Sequence, residues 1–402
     1  MGVNVFPAAS GGASYSSQPP ASASSVLLDG QLVTAPSIST SITGTGAPWL
    51  LYANGAGTTT ITIAGTPYTV TAGSTVGTSA YTGSQSVGVA TTLSGTPSTF
   101  TASTLPSSSV WNGVTYGNGY FVAVAAGTAG AYSTNGTSWT ASTMPSSSTW
   151  TSVTYGNGYF VAVAFNTTAA AYSTNGSTWT ASTMPSSQYW YGVTYGNGYF
   201  VAVAQTTTAG AYSTDGINWT ASTMPSSQYW YGVTYGLIGA TTFFVAVAAG
   251  PTTAGAYSTN GSTWTASTMS SAGGTFGWTS VTYGNGKFVA VAKNVTNGSY
   301  STNGTTWTAS TLPSSSGWIG VTYGNGYYVA VQSSGTTAGA YSSNGTTWTA
   351  GTMPSSSYWS SVTYGNGKFV AIANDPTSAG AYYSFTLLPV AYGIYNGATV
   401  RA

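Results

Sequence analysis

The pattern of apolar and polar positions repeats along most of the chain. Seven tryptophans each open a segment of the form WxxVTYG, followed by Asn-Gly in all but the fourth, and they are 39, 40, 40, 48, 40 and 41 residues apart. These tryptophans are Trp111, Trp150, Trp190, Trp230, Trp278, Trp318 and Trp359. Each segment continues with an apolar hexad such as YFVAVA (120–125), a small-residue turn, and the stretches AYSTNG and WTAS or close variants of them. Such a period predicts an array of similar supersecondary units.

Each repeat predicts four short β-strands. In VTYGNGYFVAVA, Asn-Gly lies between two β-prone runs, which is the strongest short-range signal for a hairpin with a two-residue turn. The second Asn-Gly, at Asn135 and Gly136, predicts another tight hairpin between the third and fourth strands. Both faces of the second strand are apolar, as is typical of a strand buried between two neighbouring sheets. The two faces are formed by Phe121, Ala123 and Ala125 and by Tyr120, Val122 and Val124.

Four antiparallel strands at this period are typical of a propeller blade. The fourth strand follows its own third strand only six times, at Trp139, Trp179, Trp219, Trp264, Trp307 and Trp348. A seventh copy, STFTASTLPSSS (98–109), precedes the first repeat and has Phe100 in the place of the tryptophan. We therefore expect an all-β chain with a seven-bladed β-propeller of four-stranded blades over residues 98–385. In this arrangement the N-terminal strand completes the last blade and closes the ring, which removes exposed edges.

A polar motif recurs at the turn between the third and fourth strands. It reads Ser-x-(Asn/Asp)-Gly-x-x-Trp and is centred on Asn135, Asn175, Asp215, Asn260, Asn303 and Asn344. The motif resembles the Asp-box, or BNR, repeat of sialidase-like propellers, in a form one residue shorter and mostly amidated. This resemblance extends over residues 98–385 and implies the propeller scaffold. Because any Asx side-chain oxygen can accept hydrogen bonds from backbone N–H groups two residues on, we interpret all six, including Asp215, as structural turn residues.

The composition leaves few groups for catalysis. The charged residues are Lys287, Lys293, Lys368, Arg401, Asp29, Asp215 and Asp375, and the chain has no Glu, His or Cys. Sialidase members of the resembled family use an arginine triad, a tyrosine nucleophile and acidic partners, whereas residues 98–385 contain no arginine and no glutamate. We therefore expect no enzymatic activity, no cofactor and no metal site. A net charge of +1 and short apolar runs also argue against nucleic-acid binding and membrane insertion.

Binding is expected on the face of the propeller whose loops vary. The GNG and STNG turns recur almost unchanged on one face, whereas the second turns and the connections between blades differ on the other. Aromatic rings beside amides suit a neutral carbohydrate, because rings stack on apolar sugar faces and amides bind hydroxyls. The alternative is that these tyrosines pack around the rim without a ligand. The candidate ligand-binding residues are Tyr189, Tyr191, Tyr229, Tyr231, Tyr358, Gln188, Gln228, Gln205 and Asn294.

The ends of the chain differ from the repeats. Residues 1–97 begin with a stretch rich in Ser, Ala, Gly and Pro and continue with alternating β-patterns, which predicts a small β-rich attachment region. Residues 386–402 are expected to form a C-terminal tail that adds a strand to either part.

These features favour a virion surface protein, either a bacteriophage tail-fibre or a head-decoration component. Its N-terminal region is expected to bind other virion subunits, and its propeller to bind host glycans, as a homo-oligomer or lattice. The absence of a signal peptide and the near-zero net charge support this interpretation. Two alternatives stay open: a bacterial surface lectin or adhesin, and a structural subunit of a shell or filament without a ligand.

Overall fold

A computed structural model shows the architecture of the chain. It describes residues 3–6, 25–28, 31–34, 38–54, 58–63, 66–71, 75–90, 93–271, 274–387 and 391–396, with side chains placed at 66–68, 95–271 and 274–385. In these ranges the regular structure is β-strand and no α-helix occurs, so the predicted all-β class is confirmed. The described residues thus contain no helix of the length and apolar character needed to cross a membrane. The chain divides into two compact units, Met1–Gly95 with Phe385–Ala402 and Thr96–Ser384.

The first unit is built around a six-stranded sheet. Its strands lie in the order Val3–Phe6, Ala391–Asn396, Ile38–Asn54, Thr75–Ala90, Thr58–Ile63 and Thr66–Thr71. Two further pairs are Ser25–Leu28 with Gln31–Thr34, and Leu93–Ser94 with Thr386–Leu387. The tail expected to add a strand to either part contributes strands to the unit that contains the N-terminal residues.

The second unit consists of repeated antiparallel strands. Their pairing forms seven four-stranded repeats, which are numbered here from the one that opens at Trp111. Several long strands belong to two repeats, since each ends one repeat and opens the next. The strands are Thr101–Ser109, Trp111–Gly117, Tyr120–Ser133, Thr140–Gly156, Tyr159–Phe165, Thr167–Ser173, Thr180–Gly196, Tyr199–Gln205, Thr207–Ser213, Thr220–Ile238, Thr241–Ala249, Ala254–Ser258, Thr265–Thr268, Trp278–Gly284, Lys287–Ser301, Thr308–Gly324, Tyr327–Gln332, Thr336–Ser342, Thr349–Ser357, Trp359–Gly365, Lys368–Ala373 and Thr377–Ser384.

The ring closes through the N-terminal strand of this unit. Thr101–Ser109 pairs antiparallel with Thr377–Ser384 and so supplies the fourth strand of repeat seven, as the count of strand types predicts. Parallel bridges also join the fourth strand of each repeat to the residue two positions before the fourth strand of the next, and the bridge between Thr352 and Thr99 completes the circuit. The first strands therefore surround a common centre.

Contacts between tyrosine and glycine hold neighbouring first strands together. Gly117 lies so close to the ring of Tyr155 in the next repeat that a Cβ at this position would overlap it. The same contact recurs around the ring and ends with Gly365 against Tyr116. Each of these tyrosines also packs on an aromatic residue of its own second strand; for example, the ring centroids of Tyr116 and Phe121 are 4.7 Å apart. The recurring Tyr-Gly sequence thus reflects a close approach of side chain to backbone.

The core lies between the repeats, because both faces of each second strand are buried. Val122 and Val124 pack against Trp150 and Phe160 of the following repeat. On the opposite face of the same strand, Ala123 and Ala125 belong to a cluster that includes Ile372 of the preceding repeat. Two apolar faces on one strand are therefore explained by two neighbouring sheets.

The two Asn-Gly signals lead to different turns. Gly117 pairs with Tyr120, and Asn118 and Gly119 have φ of 47° and 82°, which is the predicted two-residue turn. The tight hairpin expected at Asn135 and Gly136 is wrong, because the strands pair only as far as Tyr132 and Thr140. Side chains stabilise this longer loop. Asn135 Oδ1 accepts hydrogen bonds from the backbone N–H groups of residues 137 and 138. The Ser133 hydroxyl accepts one from the backbone N–H group of Gly136.

Candidate functional site

The first strands of the propeller begin around a cavity of about 410 Å³. Every repeat contributes the residue that directly follows its opening tryptophan: Asn112, Thr151, Tyr191, Tyr231, Thr279, Ile319 and Ser360. Residues at the ends of second strands or just beyond them also line it, namely Phe165, Lys293, Ser333 and Asn374. The cavity therefore opens at the end of the ring where the second turns and the connections lie, which is the end with the variable sequences.

The residue that directly follows the opening tryptophan is called the inner position. In four repeats it is a short polar side chain that forms a hydrogen bond with the next repeat. Thr151 Oγ1 donates to the carbonyl of Trp190 at 2.8 Å, and Thr279 Oγ1 donates to that of Trp318 at 2.8 Å. Asn112 makes the equivalent bond to the carbonyl of residue 150, and Ser360 to that of residue 111. These bonds join consecutive first strands at the mouth of the cavity.

Repeats three and four place aromatic rings at the same position. The ring centroids of Tyr191 and Tyr231 are 3.8 Å apart, with an angle of 40° between the planes. Burial raises the pKa of Tyr191, and so do the neighbouring Tyr231 and the hydrogen bond to its hydroxyl. Two tyrosine hydroxyls, each able to donate and to accept a hydrogen bond, thus lie side by side in the cavity wall. Gly192 lets the first strands of repeats three and four approach closely, because a Cβ there would lie 2.8 Å from the Tyr231 carbonyl oxygen.

The remainder of the cavity wall is mainly polar. Hydroxyl and amide groups come from Thr279, Ser333, Ser360 and Asn374. Lys293 adds a positive charge, and its Nζ lies 5.7 Å from the centre of the Phe276 ring. The cavity therefore combines an aromatic side with hydrogen-bonding groups.

Further aromatic residues lie on the connections just outside the cavity. Tyr189 stacks on Phe165, with centroids 4.6 Å apart and planes at 21°. Tyr229, Tyr358 and Phe276 are 51%, 49% and 49% exposed. Together these side chains form a rim on the connections that precede the opening tryptophans.

The structure brings together only part of the predicted ligand-binding set. Tyr191 and Tyr231 line the cavity, while Tyr189, Tyr229, Tyr358, Gln188 and Gln228 lie on the rim connections. Asn294 is exposed beyond a second strand, and its carbonyl accepts from Ser315 Oγ. Gln205 is only 8% exposed, so it is not displayed on the surface as expected.

Sequence reasoning missed five of the seven inner positions. Asn112, Thr151, Thr279, Ile319 and Ser360 lie within strands, whereas variable loops were the basis of the prediction. A signal was present, since the residue after each opening tryptophan differs between repeats while the VTYG that follows is constant.

Asp215 has the surroundings of its asparagine counterparts. Its Oδ1 accepts from the backbone N–H groups of Ile217 and Asn218 at 2.9 and 2.8 Å and from Ser213 Oγ at 2.9 Å. Partial burial raises the pKa of Asp215, but hydrogen bonds from Asn218, Ile217 and Ser213 outweigh it and lower the pKa from 3.8 to about 2. In the described part of the chain, no three Asp, Glu, His or Cys residues lie together as metal ligands would.

Comparison with known proteins identifies the class of fold. No protein-family model and no curated protein matches the sequence. Among solved structures, virginiamycin B lyase from Staphylococcus aureus is similar at a TM-score of 0.61 and 14% identity, over 70% of this chain and 98% of that one. YCF48 bound to D1 peptide is similar at a TM-score of 0.57 and 15% identity, over 74% of this chain and 98% of that one. The β-propeller domain of Cps50 (Swd1) from Myceliophteria thermophila is similar at a TM-score of 0.53 and 9% identity, over 71% of this chain and 100% of that one. These likenesses show a β-propeller fold and nothing finer.

The comparisons correct one expectation from the sequence. The shortage of acid and base residues led to the expectation that the protein is not an enzyme. That expectation is contradicted, because the similar solved structures include virginiamycin B lyase and streptogramin B lyase, which are enzymes built on a propeller. The fold of this chain is thus one on which catalysis occurs, and identities of 12–14% carry the likeness no further than the fold.

Proposed function

We propose that this β-propeller binds carbohydrate at the mouth of its central cavity. The proposal rests on one observation: at the inner position of two consecutive repeats, tyrosines replace the short polar side chains found in four other repeats. Four repeats use this position for a hydrogen bond to the next first strand, whereas repeats three and four have Tyr191 and Tyr231 there. Because those bonds stabilise the ring, replacing them with two adjacent rings that line a cavity favours a role in binding.

The chemistry of the cavity fits a sugar. An aromatic side chain stacks on the apolar face of a pyranose, and a tyrosine hydroxyl can donate to a sugar hydroxyl or ring oxygen. Ser333 and Asn374 offer further hydrogen-bonding groups around the mouth. A volume of about 410 Å³ lies within the range of small-molecule sites in proteins, roughly 300–1,000 Å³.

Two similar propellers have been solved with a bound molecule. Virginiamycin B lyase was crystallised with Quinupristin as a histidine-to-alanine variant described as catalytically inactive, and YCF48 was solved bound to D1 peptide. This chain contains no histidine, so the proposal takes from these structures only that the fold accommodates ligands.

For the biological setting, we propose the surface of a virion, with the protein serving as a bacteriophage tail-fibre or head-decoration component. The division into two units supports this setting, because one unit is then free for attachment while the propeller contacts host glycans. A bacterial surface lectin or adhesin uses the same site in a different setting. Detection of the protein among purified virion proteins separates the two.

The test of carbohydrate binding uses the full-length protein on a glycan array, followed by calorimetry with the bound sugars. We expect Tyr231→Thr to weaken binding at least ~10-fold, since stacking on an aromatic side chain contributes about 1–3 kcal/mol for a nucleic-acid base, and we take a similar magnitude for a sugar. Threonine is the matched choice because repeats two and five have it at this position, where it bonds to the next repeat. Stability is therefore expected to hold or rise while affinity falls. Unchanged affinity in this variant, or no binding by the wild type to any glycan, would overturn the proposal.

A further inference from the structure

The sequence SSQYWYG occurs twice, at residues 186–192 and 226–232, and the two copies have different surroundings. In the first copy, Tyr189 stacks on Phe165, the last residue of the strand Tyr159–Phe165 in the preceding repeat. In the second copy, the equivalent tyrosine is Tyr229, and the equivalent strand Tyr199–Gln205 ends in Gln205 instead of a phenylalanine. Two nearly identical repeats thus differ in whether the tyrosine has an aromatic partner.

Without that partner, Tyr229 is open to solvent. Its side chain is 51% exposed, and among the described residues it makes no ring or cation contact. The other exposed rings of the rim are engaged to some degree: Phe276 lies under Lys293, and the Tyr358 ring lies near Gly335, where a Cβ would be 3.4 Å from it. The side-chain amide of Gln205 also makes no hydrogen bond with the described residues. The tyrosine before the opening tryptophan of repeat four is therefore an exposed ring without an aromatic partner.

The first copy shows what this position accepts. Phe165 lies on Tyr189 as a flat apolar partner at 4.6 Å, which is the geometry that the apolar face of a pyranose takes on a tyrosine. Tyr229 is two residues before Tyr231 on the same strand, roughly 7 Å away along an extended chain. The open ring is thus adjacent to the aromatic pair at the cavity mouth.

We propose that Tyr229 forms a second sugar subsite, so that the ligand is an oligosaccharide extending from the cavity mouth over the rim of repeat four. The tyrosine ring stacks on the second sugar, and Gln205, which is itself only 8% exposed, lacks the aromatic ring that would cover Tyr229. This inference rests on the proposed function, because it deepens the same site. It also assigns different roles to the two copies, since Tyr189 is already covered by the protein.

The internal repeat provides matched variants for the test. Gln205→Phe reproduces the residue of the preceding repeat and is expected to cover Tyr229, while Phe165→Gln uncovers Tyr189. Tyr229→Ala removes the open ring at an exposed position and keeps the test valid if Gln205→Phe does not fold. The probes are malto- and chito-oligosaccharides of one to four residues, together with any graded series bound on the array, titrated into full-length protein.

We expect wild-type affinity to rise at least 10-fold from one sugar to two. Gln205→Phe and Tyr229→Ala are expected to lose this increase and to keep the affinity for the single sugar. Equal length dependence in the wild type and both variants would overturn the second subsite, as would a wild type that binds single and longer sugars alike; carbohydrate binding itself would survive either result. A wild type that binds no sugar of any length would overturn both.

Discussion

At the scale of single residues, Asp215 shows how surroundings decide what a charged group does. A carboxylate is uncommon in this chain, but its oxygen occupies the position of an asparagine amide oxygen in five other turns. Four donors hold it: two backbone N–H groups, the hydroxyl of Ser213 and the side-chain amide of Asn218. Its low pKa follows from turn geometry, and a carboxylate that is already bonded four times is poorly placed to abstract a proton.

The first prediction concerns Asp215→Asn. The amide oxygen can accept the same backbone bonds, so the free energy of unfolding at pH 7 is expected to change by less than ~0.5 kcal/mol. The pKa of about 2 in the folded state lies below 3.8, so the charged form stabilises the fold above that pH and this contribution is lost as the pH falls toward 2. The wild type should therefore lose slightly more stability than the variant on acidification.

Urea unfolding at pH 7 and at pH 2.5 checks this prediction. The difference at low pH is expected to be small, because the carboxylate is only partly buried and the solvent screens its interactions. A loss of several kcal/mol at pH 7, or a loss of glycan binding, would give Asp215 a role beyond the turn.

At the scale of strands, the first strand of each repeat both builds the ring and lines the cavity. Near one end of the strand, its glycine contacts the tyrosine ring of the next repeat. At the other end, its second residue lines the cavity and, in four repeats, forms a hydrogen bond with the next repeat. A change at the second residue therefore alters the mouth while the rest of the strand stays the same. The alternation of side chains along a strand makes this separation possible.

Thr279 tests the structural role of that second residue. It is 6% exposed, and its hydroxyl lies within hydrogen-bond distance of the carbonyls of Val291 and Trp318, at 3.2 and 2.8 Å. Thr279→Val keeps the shape but removes the donor, which should cost about 1–3 kcal/mol in chemical unfolding. Thr279→Ser is the control, because Ser360 makes the equivalent bonds in repeat seven. A loss in Thr279→Ser with none in Thr279→Val would mean that packing rather than the hydrogen bond matters here.

The strands also show why the sequence predicts the architecture better than the site. Asn118-Gly119 joins two directly adjacent β-runs, so local backbone preference is sufficient to predict its turn. Asn135-Gly136 has the same letters, but Ser133 and Asn135 bond to the backbone and stabilise a wider loop, which dipeptide chemistry does not reveal. The inner positions, such as Ile319, can be recognised as cavity-lining residues only once the seven first strands are arranged around one centre. That requires the closed ring and not only the repeat.

At the scale of the whole propeller, closure depends on contacts between residues far apart in the chain. The strand Thr101–Ser109 pairs with Thr377–Ser384, and Gly365 meets Tyr116. The other repeats are joined by neighbouring segments, so only this junction brings together the two ends of the unit. Contacts that close long loops are costly in chain entropy, and the cavity is complete only when they form.

The last prediction tests closure with a pair of matched substitutions. Gly156 contacts Tyr195 inside the array, and Gly365 contacts Tyr116 across the junction, with nearly the same geometry. In a closed ring, Gly156→Ala and Gly365→Ala should each destabilise the protein by about 1–3 kcal/mol, because the added methyl overlaps a tyrosine ring that cannot move freely. Combining Gly365→Ala with Tyr116→Ala should recover part of the loss, and a double-mutant cycle in urea unfolding measures that coupling. If the junction were open, Gly365→Ala would be nearly neutral and uncoupled from Tyr116 while Gly156→Ala kept its full cost.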